Sequence, residues 1–211
     1  MIKVDHVRTF NFDGAIRGMR NPYDSWDKSD STWVEVSPHS YEMEFRIGEK
    51  DMELMRKLFK AGTEHRKFMR QIFICMDITA PFYWWKQFDK YQIGVTTNSC
   101  STMHTITKYE FNEDNFSNDC MMHGFRQIIR ILNGYRDQYL AESDLDKKKK
   151  IWRGIVQLLP ESYNQKRTVT MNYEVAANII SQRKNHKLKE WNEFIDILLR
   201  DLPYLQEIIE G

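Results

Sequence analysis

The order of patterns along this 211-residue chain predicts an α+β fold with a helical C-terminal half. Two strand-like stretches occupy the first half. Tyr41–Ile47 alternates, with Tyr41, Met43, Phe45 and Ile47 on one face and Glu42, Glu44 and Arg46 on the other. Arg70–Thr79, RQIFICMDIT, is rich enough in β-branched and aromatic residues for a buried strand. After residue 120 the period changes. Met122, Phe125, Ile128, Ile129, Leu132, Tyr135 and Tyr139 recur at helical spacing through a predicted helix over Met121–Leu140. No repeat, low-complexity linker or composition break divides the chain, so one domain over residues 1–211 is expected.

The remaining elements follow in order. Residues 2–10 alternate weakly, as an edge strand does. Asp13 is placed to cap a short helix over Ala15–Arg20, which Asn21 and Pro22 break. Tyr23–Ser40 is polar and turn-rich, with Trp26 and Trp33 as expected anchors. Met52, Met55, Leu58 and Phe59 predict a helix over Asp51–Ala61, ended by Gly62. Thr79-Ala80-Pro81 reads as a helix start, with threonine as cap and proline early, and the helix runs to about Tyr91. Ile93–Thr102 is read as irregular and Thr105–Phe111 as a returning strand. Further helices are predicted over Leu145–Leu159, Thr168–Gln182 and Leu188–Arg200, with a last turn from Leu202-Pro203. Lys147–Lys150 reads as a solvated start to the helix it opens.

Composition narrows the partners. Lys+Arg 31 against Asp+Glu 30 leaves no global field for nucleic acid or an anionic membrane. There is no apolar run of about 18 residues, and the start, MIKVDHVRTFNFDG, lacks the apolar centre of a signal peptide. A cytoplasmic protein is expected. Cys75, Cys100 and Cys120 have neither paired nor metal-like spacing and read as reduced, buried or half-buried thiols. There is no P-loop, dinucleotide fingerprint or nucleophile elbow, and the six histidines are too scattered for zinc.

Polar side chains gather in Glu64–His104. Gln87, inside the aromatic stretch WWKQFDKY, either faces solvent or reads a planar polar ligand such as a pyrimidine. Asn98, Ser99, Ser101, Thr102 and His104 either wrap a phosphate or make an ordinary surface turn. Asn172 and Arg183 lie 11 residues apart in one predicted helix. That is close to three turns, or roughly 16 Å along one face. With Val175, Ala176 and Ile179 between them, they offer an amide, an apolar floor and a guanidinium to an elongated, phosphate-bearing ligand. The alternative is an amphipathic helix whose terminal arginine suits the dipole.

Together these positions resemble the flavin-dependent thymidylate synthases. In that family a Glu-His pair precedes a strand, and a helix with an Arg-Gln step follows. Next come Arg-His-Arg and an Asn-x-x-Ser-x-Arg-Tyr turn. Here Glu64-His65 takes the first place and Gln87 falls 22 residues after His65. The segment LLPESYNQKRTVTMNYEVAANIISQR keeps Pro160, Asn172 and Arg183 in step. The likeness covers roughly residues 60–110 and 155–192. It implies a mostly antiparallel central sheet flanked by helices. It also implies a homotetramer binding FAD and a nucleotide between subunits. The chemistry it implies is methylation of dUMP to dTMP with methylenetetrahydrofolate and NADPH. His65, Lys90, Tyr91, Gln92, Asn172 and Arg183 would then contact the flavin. Gln87, Asn98, Ser99, Ser101, Thr102 and Arg153 would contact the nucleotide. The aromatic helix Phe82-Tyr83-Trp84-Trp85 offers more large apolar surface than one helix face buries, which also points to subunit assembly.

The departures from the family are specific. The Arg-His-Arg triplet is Lys90-Tyr91-Gln92. After one inserted residue, the turn has Met103 and His104 where the family has arginine and tyrosine. A second nucleotide-binding arginine falls at Val156, with Arg153 one turn away. Lysine keeps charge without the bidentate fork, and methionine keeps neither. The resemblance therefore implies a divergent member whose thymidylate synthase activity is weak or lost. The alternatives are a flavin- or nucleotide-dependent enzyme for another pyrimidine nucleotide, and a non-catalytic binding or assembly protein on the same fold.

Overall fold

The structure, a computed structural model, describes residues 2–37, 41–119 and 124–211. The fold is α+β, with nine α-helices among the described residues and a four-stranded antiparallel sheet. The strands are β1 (Lys3–Phe10), β2 (Thr32–Glu35), β3 (Met43–Arg46), β4 (Phe73–Pro81), β5 (Thr96–Ser99) and β6 (Asn164–Asn172). The larger sheet runs β1-β4-β6-β5, and β2 and β3 form a separate ribbon. The helices are α1 (Phe12–Arg20), α2 (Glu49–Lys60), α3 (Phe82–Phe88), α4 (Thr102–Thr105) and α5 (Phe125–Ala141). They continue with α6 (Leu145–Leu158), α7 (Tyr173–Arg183), α8 (Lys189–Asp201) and α9 (Leu205–Glu210).

The chain forms two compact units. The first comprises Met1–Lys3, Asp77–Lys90 and Thr97–Thr168. The second comprises Val4–Met76, Tyr91–Thr96 and Val169–Gly211. Strand β4 follows the period of two. Ile74, Met76, Ile78 and Ala80 are buried, while Phe73 is 44% exposed.

In the first unit the aromatic helix packs on itself. Trp84, Trp85 and Phe88 are fully buried, with ring centroids 4.9–5.4 Å apart. Their burial leaves those rings unavailable to a subunit interface, so the argument for assembly drawn from this helix fails. A second cluster joins Ile106, Phe111, Phe116, Ile129, Leu132 and Ile155. Asp144 caps α6, its carboxylate accepting from the amides of Asp146 and Lys147, both at 3.0 Å. The lysine run thus sits in the first turns of a capped helix, mostly exposed.

In the second unit α8 shows the expected stripe: Trp191, Phe194, Ile195 and Leu198 are buried. Tyr173 is fully buried and donates its hydroxyl to Pro203 O at 2.8 Å. Burial pushes its pKa well above the ordinary tyrosine value. The buried pair Arg20–Asp51, 2.6 Å apart, joins α1 to α2. Asp51 also accepts from the hydroxyls of Ser29 and Ser31, each at 2.6 Å, and from the amides of Asp30 and Ser31. In return, Asp30 accepts from the amides of Lys50 and Asp51 at 3.0 and 3.2 Å. Gly48 permits this approach, because a Cβ there would lie 2.2 Å from Asp30 Cγ. Burial alone would raise the Asp51 pKa, but hydrogen bonds from Ser29, Ser31 and Arg20 outweigh it and hold the carboxyl below its ordinary value.

Several expectations are corrected. The Thr79-Ala80-Pro81 step is the end of β4, and α3 stops at Phe88 rather than Tyr91. Thr168–Asn172 belongs to β6, so α7 begins at Tyr173. Thr105–Phe111 contains no strand, and Thr96–Ser99 does. Helix α1 begins at Phe12 after Asn11 in a left-handed conformation, with Asp13 in its first turn rather than at the cap. The strand at 41–47 shrinks to β3, paired only with β2. Tyr41 and Met43 are exposed, and Phe45 and Ile47 are half-buried. Trp26 and Trp33 are 44% and 51% exposed. Cys75 is half-buried and Cys100 exposed, whereas Cys120, Met121 and Met122 lie outside the described residues.

Candidate functional site

In the first unit the predicted phosphate turn is built around Gln165 on β6. Its side-chain nitrogen donates to Cys100 O and to Thr102 Oγ1, each at 3.2 Å. Its oxygen accepts from Arg167 Nε at 2.9 Å. Arg167 in turn pairs with Asp89 at 2.6 Å, and its guanidinium stacks 4.2 Å from the Trp85 ring. The turn is therefore braced from a neighbouring strand rather than left to hang. Cys100 N donates to Lys166 O at 2.9 Å, which seats the same segment on β6.

Ser101 stands before α4. Its carbonyl accepts from the amides of His104 and Thr105 and from the Thr105 hydroxyl. Asn98 and Ser99 lie on β5 and are exposed. Helix α6 is fixed to the turn by Trp152, whose indole donates to Met103 O at 3.2 Å. Arg153 follows it and is exposed. Gln87 is half-buried on α3. Asp77 on β4 accepts from Thr168 Oγ1 at 2.6 Å and pairs with Lys166 at 2.9 Å. Thr102 thus shares one hydrogen-bonded network with Gln165 and Arg167. The sequence reading missed those two because a polar residue on a strand gives no spacing signal.

In the second unit Tyr91 and Arg183 meet directly. Arg183 Nε donates to the Tyr91 hydroxyl at 3.0 Å, and that hydroxyl donates to Gln182 Oε1 at 3.1 Å. The guanidinium lies 4.7 Å from the Trp191 ring and 5.7 Å from the Tyr91 ring. Asn172 caps the opposite end of α7, its side-chain oxygen accepting from Val175 N at 3.0 Å. The two residues therefore mark the two ends of α7, about 16 Å apart at the helical rise. Asn172 is thus the last residue of β6 and the cap of α7 rather than a residue inside the helix as expected.

The loop after Tyr91 connects these ends. Gly94, at φ 73°, runs so close to Asn172 that a Cβ would sit 2.8 Å from its side-chain nitrogen and 3.4 Å from Val175. Residues 91–94 thus follow α7 from its last turn to its cap. Lys90, Gln92 and His65 are exposed, and no side-chain ion pair holds any of them among the described residues. Nearby in sequence to His65, Arg66 and Arg70 both pair with Glu174 on α7. Among the described residues, no group of three or more His, Cys, Asp or Glu is placed to hold a metal ion, and no helix is long and apolar enough to cross a membrane.

No protein-family model matches the chain, and no curated protein matches it in sequence. Solved structures do match. Thymidylate Synthase X (ThyX) from Helicobacter pylori, crystallised with FAD and dUMP, aligns with a TM-score of 0.72 at 15% identity, covering 98% of this chain and 96% of that one. A second structure of flavin-dependent thymidylate synthase ThyX from Helicobacter pylori, complexed with FAD and dUMP, aligns at 0.69 and 17% identity, covering 98% and 95%. At such identities the likeness concerns the fold, and the fold of this chain is ThyX-like.

Proposed function

We propose that the chain is a divergent member of the flavin-dependent thymidylate synthase family, a single domain over residues 1–211 that works as a homotetramer. The observation that carries this reading is the match to ThyX over 98% of the chain, beside the sequence resemblance at Glu64-His65, Gln87, Asn172 and Arg183. Exposed Ile131, Tyr135 and Leu145 on α5 and α6 support assembly. Light scattering near four times 25.5 kDa is expected, and a clean monomer would sink the shared-site model.

The donor chemistry of the second unit suits FAD. A guanidinium matches a phosphate, and exposed amide and imidazole groups match a polar ring edge. In this reading Arg183, held by Tyr91 and Trp191, takes phosphate oxygens. His65, Tyr91, Gln92 and Asn172 orient the rest. On the nucleotide side Gln87 reads the base edge. Asn98, Ser99, Ser101, Thr102 and Arg153 hold phosphate. Bound FAD, reduced by NADPH, would supply electrons, and methylenetetrahydrofolate the one-carbon unit.

The substitutions at Lys90-Tyr91-Gln92, Met103 and Val156 weaken this machinery. Two or three lost charge-assisted contacts amount to about 4–6 kcal/mol, a thousandfold or more in rate. The test pairs complementation of a thymidine-requiring strain with an assay containing dUMP, methylenetetrahydrofolate, FAD and NADPH. Flavin retention with little turnover is expected; robust growth without thymidine would show the substitutions to be compensated. The second reading is a flavin- or nucleotide-binding protein without this methylation, or acting on another pyrimidine nucleotide. It is favoured by Tyr91, which places a hydroxyl against Arg183 where the family has an imidazole. Flavin absorbance in the purified protein separates the flavoprotein readings from a simple assembly protein.

A further inference from the structure

The second unit carries a depression of about 430 Å³ that shares no residue with the α7 strip. Two turns of α2 form one wall: Lys50 and Lys57, seven residues apart, with Leu54 between them on the same face. Tyr23 and Lys28 form the other wall. Arg20 and Ser25 lie at its base, both buried. Among the described residues, no carboxylate lines it. The Arg20 charge is matched by Asp51, but Lys28, Lys50 and Lys57 form no ion pair among the described residues. Three ammonium groups outside any ion pair thus border one concavity.

The walls are also fixed. The clasp between Asp30 and Asp51 ties the Ser29–Ser31 loop, next to Lys28, to the first turn of α2. Arg20 donates to Ser25 O at 3.3 Å and anchors the segment that carries Tyr23. The lysines thus converge on space held open by buried hydrogen bonds. Tyr23, 56% exposed, adds an aromatic face at the rim.

We propose that this depression binds a small polyphosphorylated ligand of nucleotide size. Ammonium groups on both walls take the phosphate oxygens, and a base, where present, lies on Tyr23. The volume falls in the range of small-molecule sites, and lysine recognises phosphate as a point charge without fixed geometry. The proposal does not depend on thymidylate synthase chemistry, and its test is built to stay separate from it.

The full chain is titrated by calorimetry with ATP and, separately, with inorganic tripolyphosphate at low salt. Binding tighter than about 1 mM is expected, weakening as salt rises. A Lys28→Ala/Lys50→Ala/Lys57→Ala variant should lose about tenfold to a hundredfold in affinity. Its melting temperature should stay near that of the parent, since all three side chains are exposed. Should that variant not fold, Lys28→Ala/Lys57→Ala is read instead, with the same direction expected. Arg183→Ala should leave the affinity intact. Tyr23→Ala distinguishes the two sources: it weakens ATP but not tripolyphosphate if a nucleoside is recognised, and neither if the phosphate chain alone is. No measurable binding of either probe overturns the proposal. So does affinity that survives loss of the lysines, or that disappears with Arg183.

Discussion

Two arginines of the second unit illustrate two uses of the same side chain. Arg20 is buried and paired with a carboxylate that four further donors saturate. Arg183 is half-buried, and its partners include the Tyr91 hydroxyl and two ring faces. A saturated, buried ion pair fixes the relation of α1 to α2 and has little to offer a ligand. Stacking on ring faces fixes the plane of a guanidinium. The first arrangement serves the fold, and the second suits a binding surface.

The largest effect that would break this contrast is at Asp51. Asp51→Ala leaves Arg20 buried without its counter-charge and five donors without an acceptor. A loss of about 3–5 kcal/mol is expected, or about 10 °C in melting temperature for a chain of this size. Urea unfolding measures it, and a loss under 1 kcal/mol would mean that the network is dispensable. Arg183→Ala should behave oppositely. Stability falls by only about 1 kcal/mol, while flavin affinity drops about tenfold to a hundredfold. Destabilisation as large as that of Asp51→Ala, with unchanged affinity in the folded fraction, would make Arg183 structural.

Acid offers a milder probe. The folded Asp51 carboxyl lies below its ordinary value of 3.8, so its stabilisation is fully present above that value. It is lost as pH falls through the lowered folded value. Asp201, held down by its hydrogen bond to Arg200, acts in the same direction. Stability should therefore be flat with respect to these groups near neutrality and decline only below about pH 4. Decline already between pH 7 and 5 that Asp201→Asn leaves unchanged would point to other groups. The smallest effect is expected from Tyr91→Phe, which removes one hydroxyl while keeping the ring. It should cost about 1 kcal/mol or less in stability and less than tenfold in flavin affinity.

Periodicity made much of the fold legible. The stripe of α8, the β4 alternation and the α5–α6 pair rest on spacings that survive folding unchanged. What failed has local causes. The helix predicted from Thr168 starts too early: Val169 and Met171 alternate with Thr168, Thr170 and Asn172, a strand period whose apolar members are buried, and the helical spacing begins only after it. Pro81 reads as an early helix residue, yet its backbone is extended and it closes β4. Tyr41 and Met43 alternate correctly, but the ribbon has one partner strand, so the pattern half-buries Phe45 and Ile47 and leaves the other two exposed. At the candidate site, the pairing of Tyr91 with Arg183 across 92 residues had no sequence signal. Nor did the bracing of Thr102 by Gln165. Both depend on which segments the sheet order makes neighbours.

Helix α2 has no capping side chain of its own; Gly48 supplies none. Its first amides are accepted by Asp30, about twenty residues upstream, whose own amide is accepted by the helix's Asp51. Fraying of the helix end alone cannot release these protons, nor can opening of the loop alone without breaking the partner's bonds. The amides of Asp30, Ser31, Lys50 and Asp51 should therefore share one clock in hydrogen–deuterium exchange, opening as a unit. Two segments distant in sequence keep time together because each holds the other's backbone.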